Sequence, residues 1–534
     1  MSQNFTRRSF VGLTGGAAAL AGLGLAGCGG SGSGSSSASS DAGAAGGGEI
    51  SVGTAYSTQN YHPSTTSSAL ALGCNLNVVE GLYEIDFRDY STRPALAAGD
   101  PTMVDDTTYE VKLRDGAKFS DGTDVKASDV ASSFARSSKE GNIYVPMLTP
   151  IASIEAKDDK TVTIKTSIPK FSLLKERLAI VKVVPESASD DDLTKMPVGT
   201  GPWMYDEITD ASVTLVPNES YNGDKPAKDK KIRYDVLKDA TARVTAAQQG
   251  TTLISESTPA DSIEQLKGAG LSVDTVQGFG TRFMMFNVTK APWDNVKVRQ
   301  AVMYALDYEK MIQNALSGQA TAPTCYLPDD PAFPNYHKAS MVYTYDFEKA
   351  TALIDEAGIT PGAITLRTTD NDQVIAMSTE VKNNLDALGF KVTIQTDTSA
   401  ATYAAIDGGE AYDLLLAPGD PSCFGADPDL LLNWWYGNNT WMQKRCQWVG
   451  SEEWKTLSSE MAEALKASGD EQQQHWNKCF DLLSENVPLY PVLQVKTSTS
   501  SWRENANGDG VKVSSDFKGI GTTGIELIGV TTIK

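Results

Sequence analysis

The fold is decided by the stretch Tyr109 to Gly122, YEVKLRDGAKFSDG, read together with ASDV at 127–130. Its first half, Tyr109-Glu110-Val111-Lys112-Leu113-Arg114, alternates apolar and polar side chains, the period of a strand with one buried face. Asp115-Gly116 and Asp121-Gly122 are turn dipeptides. From Ala127 the period changes: Val130 and Phe134 stand four apart on one helical face, and Asp129 sits in the first turn, where the helix dipole favours a negative charge. Strand, turn and helix should follow in that order, and Thr161–Thr166, around Val162 and Ile164, reads as a second strand of the same lobe.

Further along, Phe283 to Asn287 reads as a buried strand. Asp294-Asn295 offers an N-cap for a helix carrying Val298, Ala301, Val302 and Ala305. Asp307 is expected to cap the next, through Ile312 and Leu316. Asp346 should cap a third, with Phe347, Ala350, Leu353 and Ile354 inward and Gly358 ending it in a left-handed turn. Strands and helices mixed throughout indicate α/β lobes, and 534 residues are too many for one core. No internal repeat is visible.

The first fifty residues concern address. Arg7 and Arg8 precede an uncharged run rich in Ala and Gly that ends at Leu25-Ala26-Gly27-Cys28. That is the layout of a twin-arginine export signal (1–27) followed by a lipobox whose Cys28 carries acyl chains. Residues 28–48, nearly all Gly, Ser and Ala, are too poor in apolar groups to order, and form a tether reaching roughly 25 Å. No later run is long and apolar enough to span a bilayer. The expected location is the outer face of the cytoplasmic membrane, held by lipid.

A formal net charge of −21 argues against nucleic acid as a partner. Beyond Cys28 stand Cys74, Cys325, Cys423, Cys446 and Cys479, an odd number without a CxxC pair, so at least one thiol is unpaired and no zinc signature exists. The three histidines, His62, His337 and His475, lie far apart without HExxH or GxSxG context, and read as ordinary surface or loop residues. Gly519 to Gly524 satisfies GxGxxG, yet too little chain follows for a dinucleotide-binding unit. No phosphate-binding GxxxxGK[ST] loop occurs. Neither metal nor cofactor is expected.

The segments from about 50 to 500 together resemble one family, the solute-binding lipoproteins of ABC importers known as extracellular solute-binding protein family 5, which take oligopeptides, dipeptides or nickel. Tyr109 to Gly122 with Ala127-Ser128-Asp129-Val130 looks like its signature. Pro197-Val198-Gly199-Thr200-Gly201-Pro202-Trp203 is similar to its Gly-Thr-Gly-Pro turn, and Asn218 to Tyr221 to its Asn-x-x-Tyr. Phe286-Asn287, Val298-Arg299-Gln300-Ala301, Ala305-Leu306-Asp307, Tyr345-Asp346 and Glu356-Ala357-Gly358 follow in the family's order, and Asp427-Pro428-Asp429 matches its Asp-Pro element.

The resemblance implies an α/β fold of periplasmic-binding-protein class II: two lobes joined by a hinge, closing on a solute. The first lobe would span 49–295 with an inserted subdomain near 100–195, the second 296–499, and 500–534 would return to the first. It implies a monomer working with membrane permease subunits, and a binding protein rather than an enzyme. Peptide-binding members commonly hold the peptide ammonium on an aspartate three before the Asp-Pro acid; counting back from Asp427, this chain has Phe424, and Asp420 is the nearest carboxylate to replace it.

Six of the nine tryptophans, Trp434, Trp435, Trp441, Trp448, Trp454 and Trp476, crowd the region after the Asp-Pro element. Large aromatic faces line clefts as well as cores. The candidate ligand-binding residues are therefore Tyr56, Tyr61, Asp420, Phe424, Asp427, Trp434, Trp435 and Trp441. The expected solute is a peptide; an oligosaccharide or another small polar solute stacked on the tryptophans is the alternative. From a different class, an extracellular hydrolase would use a carboxylate pair such as Asp427 and Asp429, whose spacing carries no more weight than that of any acidic loop.

Overall fold

The computed structural model describes residues 48–533, apart from 67, 88, 141, 143, 505–509 and 518–526. Arg7, Arg8, Cys28, the tether and the GxGxxG segment at 519–524 lie outside the described residues. An eleven-stranded sheet forms the backbone of the structure. Two groups of parallel strands stand at its flanks. In one, Glu49–Thr54 pairs in parallel with Lys231–Val236 and Ile254–Ser255; in the other, Ala363–Thr369 pairs in parallel with Lys391–Asp397 and Leu414–Gly419.

Two long antiparallel strands, Ser272–Phe286 and Leu489–Ser501, join the groups. Their pairing is regular from Ser272↔Ser501 to Gln277↔Lys496, breaks, and resumes at Thr281↔Gln494. The break falls on Gly278-Phe279-Gly280, where lost ladder bonds let the sheet bend. The C-terminal ends of both groups run toward it: Thr281 lies opposite Gly419, and Thr258, just past Ile254–Ser255, donates its N–H to Ser498 O at 2.9 Å.

The signature segment builds a separate four-stranded antiparallel sheet, in the order Thr102–Asp105, Thr108–Lys112, Thr161–Thr166, Ile151–Asp158. Helix Ala127–Ser137 covers it with Val130 and Phe134 buried, as the change of period predicts. At its start Lys126 has no capping oxygen; Asp129 Oδ2 instead takes the Lys126 N–H at 2.8 Å. The other helices begin where the capping residues stand: Asn295, Asp307 and Asp346 each accept a first-turn N–H, and Gly358 (φ +66°) ends Phe347–Ala357 left-handed.

One apolar core holds Ile50, Val52, Trp203 and Ile232 together with Val513, Phe517, Leu527 and Val530 from the end of the chain. A second is continuous from the small sheet (Val111, Phe134, Val162) into Phe283, Leu415 and Trp476. Cys74, Cys325, Cys446 and Cys479 are buried free thiols. Among the described residues no helix is long and apolar enough to cross a membrane.

Candidate functional site

In α/β sheets, ligands sit beyond the carboxyl ends of parallel strands, where connections diverge and leave a crevice. Here both sets of ends converge on the break at Gly278-Phe279-Gly280. Tyr56 follows Glu49–Thr54, Glu256 follows Ile254–Ser255, Gln373 opens the helix after Ala363–Thr369, and Asp420 follows Leu414–Gly419. Arg282 lies just past the break, opposite Leu493 and next to a second shift in register, and heads the apolar run Phe283 to Phe286.

The Arg282 guanidinium is half-buried, and burial lowers its pKa to about 10 against the favourable pull of Tyr56 and Asp420. Nη1 donates to Thr281 O at 3.0 Å and Nη2 to Gln373 Oε1, while Nε is buried without a partner among the described residues. Burial pushes the Asp420 carboxyl up to about 6, against Ser422 and Arg282, which favour its ionised form. Its Oδ1 takes the Ser422 N–H at 3.0 Å and hydroxyl at 2.6 Å, capping the short turn Pro421–Phe424.

From the first group, Glu256 accepts the Thr54 hydroxyl and the Ala55 N–H (3.1 Å); burial raises its pKa as well. Arg243, 6% exposed, holds this loop by donating to Leu237 O, Lys238 O and Ser257 O. Tyr56, 46% exposed, stands within electrostatic reach of Glu256, Arg282 and Arg243. Tyr56, Glu256, Arg243, Arg282 and Asp420 thus bring cations and anions together near this break, partly withdrawn from water, which suits a solute bearing both charges.

Of the candidate residues, the structure brings Tyr56 and Asp420 within electrostatic reach of Arg282. Phe424 closes the Asp420 turn, buried, with its ring 5.1 Å from Tyr144 and 5.7 Å from half-buried Trp434. The other candidates stand in packing or paired positions in this structure. Trp435 is 1% exposed, edge-on to Phe283 at 4.9 Å, and lies so close over Gly419 that a Cβ there would come within 2.3 Å of its ring. Trp441 covers one face of the Arg445 guanidinium at 4.2 Å, with Tyr403 on it at the same distance. Tyr61 is buried against Tyr205, and its carbonyl accepts from Asn75.

Asp427 caps helix Pro428–Tyr436 and, with Asp429, binds Arg177, so neither acid of the suggested hydrolase pair is at liberty. His62 departs from the surface reading: it is 3% exposed, accepts the Ser64 N–H at 3.1 Å and faces Asp190 at 3.4 Å, and burial lowers its pKa. His337 and His475 pair with Asp481 and Glu460. Among the described residues no group of three or more His, Cys, Asp or Glu side chains is arranged to hold a metal. Sequence reasoning passed over Arg282, Glu256 and Arg243; a lone arginine heading the apolar run Phe283 to Phe286 was the signal for the first.

Two parallel-strand groups joined by a pair of crossing strands, with a cluster of charged side chains at the crossing, define a two-lobed solute-binding protein. Residues 91–443 match the bacterial extracellular solute-binding proteins, family 5, middle region, and the chain belongs to that family; its members are transport binding proteins, not enzymes. It is 28% identical over 355 residues to the probable D,D-dipeptide-binding periplasmic protein DdpA of Escherichia coli K12, a match covering 64% of this chain and 67% of that one. It is 25% identical over 486 residues to the glutathione-binding protein GsiB of Salmonella typhi, covering 88% and 92%. The ABC transporter-associated periplasmic binding protein DppA of Helicobacter pylori, solved with the peptide STSA, shares the fold at a TM-score of 0.77 and 21% identity, over 91% of this chain and 98% of that one.

Proposed function

We propose that this protein captures short peptides by their free termini and presents them to an ABC-type permease. The observation that carries the reading is the pairing of opposite charges at the crossing, where Arg282, with a spare buried Nε, lies within electrostatic reach of Asp420. A zwitterion satisfies both. Asp420 then does for the peptide ammonium what relatives of this type do with an acid nearer the Asp-Pro element, and Arg282 takes carbonyl or carboxylate oxygen. The names of DdpA and GsiB, and the peptide bound to DppA, favour the same solute class.

In this reading the two lobes pivot at Gly278-Phe279-Gly280. Ligand contacts made from both sides exist only in the closed form and so favour closure. Arg7-Arg8 and Cys28 export the chain and anchor it by lipid, leaving the binding body outside the cytoplasmic membrane as a monomer. An oligosaccharide is the weaker candidate, because Trp435 and Trp441 are committed to Phe283 and Arg445.

Thermal denaturation with a peptide library and an oligosaccharide panel tests the assignment. A bound peptide at a hundredfold over its Kd stabilises the protein by about 2.7 kcal/mol and raises Tm. Shifts confined to oligosaccharides would refute peptide capture.

A further inference from the structure

A cavity of about 40 Å³ lies where Leu72, Ile85, Phe87, Tyr144, Ile180 and Phe424 meet. We infer that it receives a small aliphatic side chain of the peptide, an inference resting on peptide capture as proposed above. Three observations lead there.

The first is that the polar groups in the wall are already engaged. Glu84 accepts from Gly81 N at 2.7 Å and from Lys182 Nζ at 2.5 Å. Asn75 donates to Tyr61 O at 3.0 Å and accepts from the Tyr205 hydroxyl at 2.8 Å; the Tyr144 hydroxyl donates to Thr66 O at 2.5 Å. A polar group entering would leave water for a wall that is mostly apolar and whose polar side chains already hold partners, whereas each methylene buried gains about 0.8 kcal/mol, or roughly fourfold in affinity.

The second is size. One water needs roughly 10–15 Å³ measured in this way, so the space matches about three such positions, a valine or leucine side chain and not a benzyl group. The third is position. Asp420 caps the turn that Phe424 ends, and at about 2 Å of rise per residue that turn spans roughly 6–8 Å, the reach from a peptide's ammonium to the side chains of its first two residues. The turn that anchors the amine therefore also supplies the wall that sizes the side chain.

Titration calorimetry of the purified protein with two dipeptide series, X-Ala and Ala-X with X as Gly, Ala, Val, Leu, Phe or Asp, reads this directly. In one series affinity should rise about fourfold per added methylene up to Val or Leu, then fall at least tenfold for Phe and Asp. Phe424→Ala should raise affinity for the Phe peptide at least tenfold over wild type, and Phe424→Leu, which keeps an apolar wall, should shift the preference the same way by less. Equal affinity across X in both series would overturn the pocket while leaving peptide capture standing. Failure of every peptide to bind would overturn peptide capture, and the pocket with it.

Discussion

The guanidinium of Arg177 grips the carboxylate of Asp427 with two parallel hydrogen bonds, Nη1 to Oδ2 at 2.8 Å and Nη2 to Oδ1 at 2.7 Å, between residues 250 apart in the chain. Nη2 also reaches Asp429 Oδ2 at 2.7 Å. Arg177 is wholly buried; burial works against its charge, and the two carboxylates more than restore it. The cluster ties helix Leu174–Ile180, which packs on strand Tyr83–Ile85, to the first turn of helix Pro428–Tyr436.

Removing one partner of such a group leaves buried charge without an answer. Arg177→Met should lower stability by about 3–5 kcal/mol, measured as a fall in the urea midpoint. Adding Asp429→Asn to it should recover part of the loss. A change below about 1 kcal/mol in the single variant would mean the cluster does not hold the two parts together.

Asp420 gives the protein a pH signature. Its native pKa near 6 lies above the unfolded value of about 3.9, so the folded state binds this proton more tightly. The stability it contributes is fully present below about pH 4 and is lost as pH rises through 6. Binding runs the other way, because an ammonium needs the carboxylate. Affinity for a free-amine peptide should fall as pH drops through 6, approaching tenfold per unit, and Asp420→Asn should flatten the profile; a wild-type profile already flat between pH 5 and 7 would remove Asp420 from the site.

Gly419 has no space to its side. A Cβ there would lie 2.3 Å from the Trp435 ring, and that indole is pinned by Phe283 at 4.9 Å and Trp441 at 4.6 Å. Gly419→Ala should destabilise by about 1–3 kcal/mol through overpacking, seen as a lower Tm. Trp435→Phe in the same chain should relieve much of it. An unchanged Tm for Gly419→Ala would show that the ring gives way freely.

Most of the fold was legible because it is written in local terms. The alternation at Tyr109 to Arg114, the caps Asn295, Asp307 and Asp346, and Gly358 all work over three or four residues, and the structure uses each where it stands. The site was less legible because it is assembled from chain ends far apart. Tyr56, Glu256, Arg282 and Asp420 meet only through the register of the crossing strands, and no short-range pattern carries that register. The tryptophan cluster was ambiguous for a related reason: spacing cannot distinguish a ring packed on Arg445 or Gly419 from one left open to a solute.

Calorimetric titration of trialanine against its N-acetylated form reads whether a free ammonium is held at Asp420. Peptide capture through a free ammonium at Asp420 requires one-to-one binding of trialanine and a loss of at least tenfold on acetylation. Equal binding of the two forms, or heat released only by a solute without an amine, would contradict it.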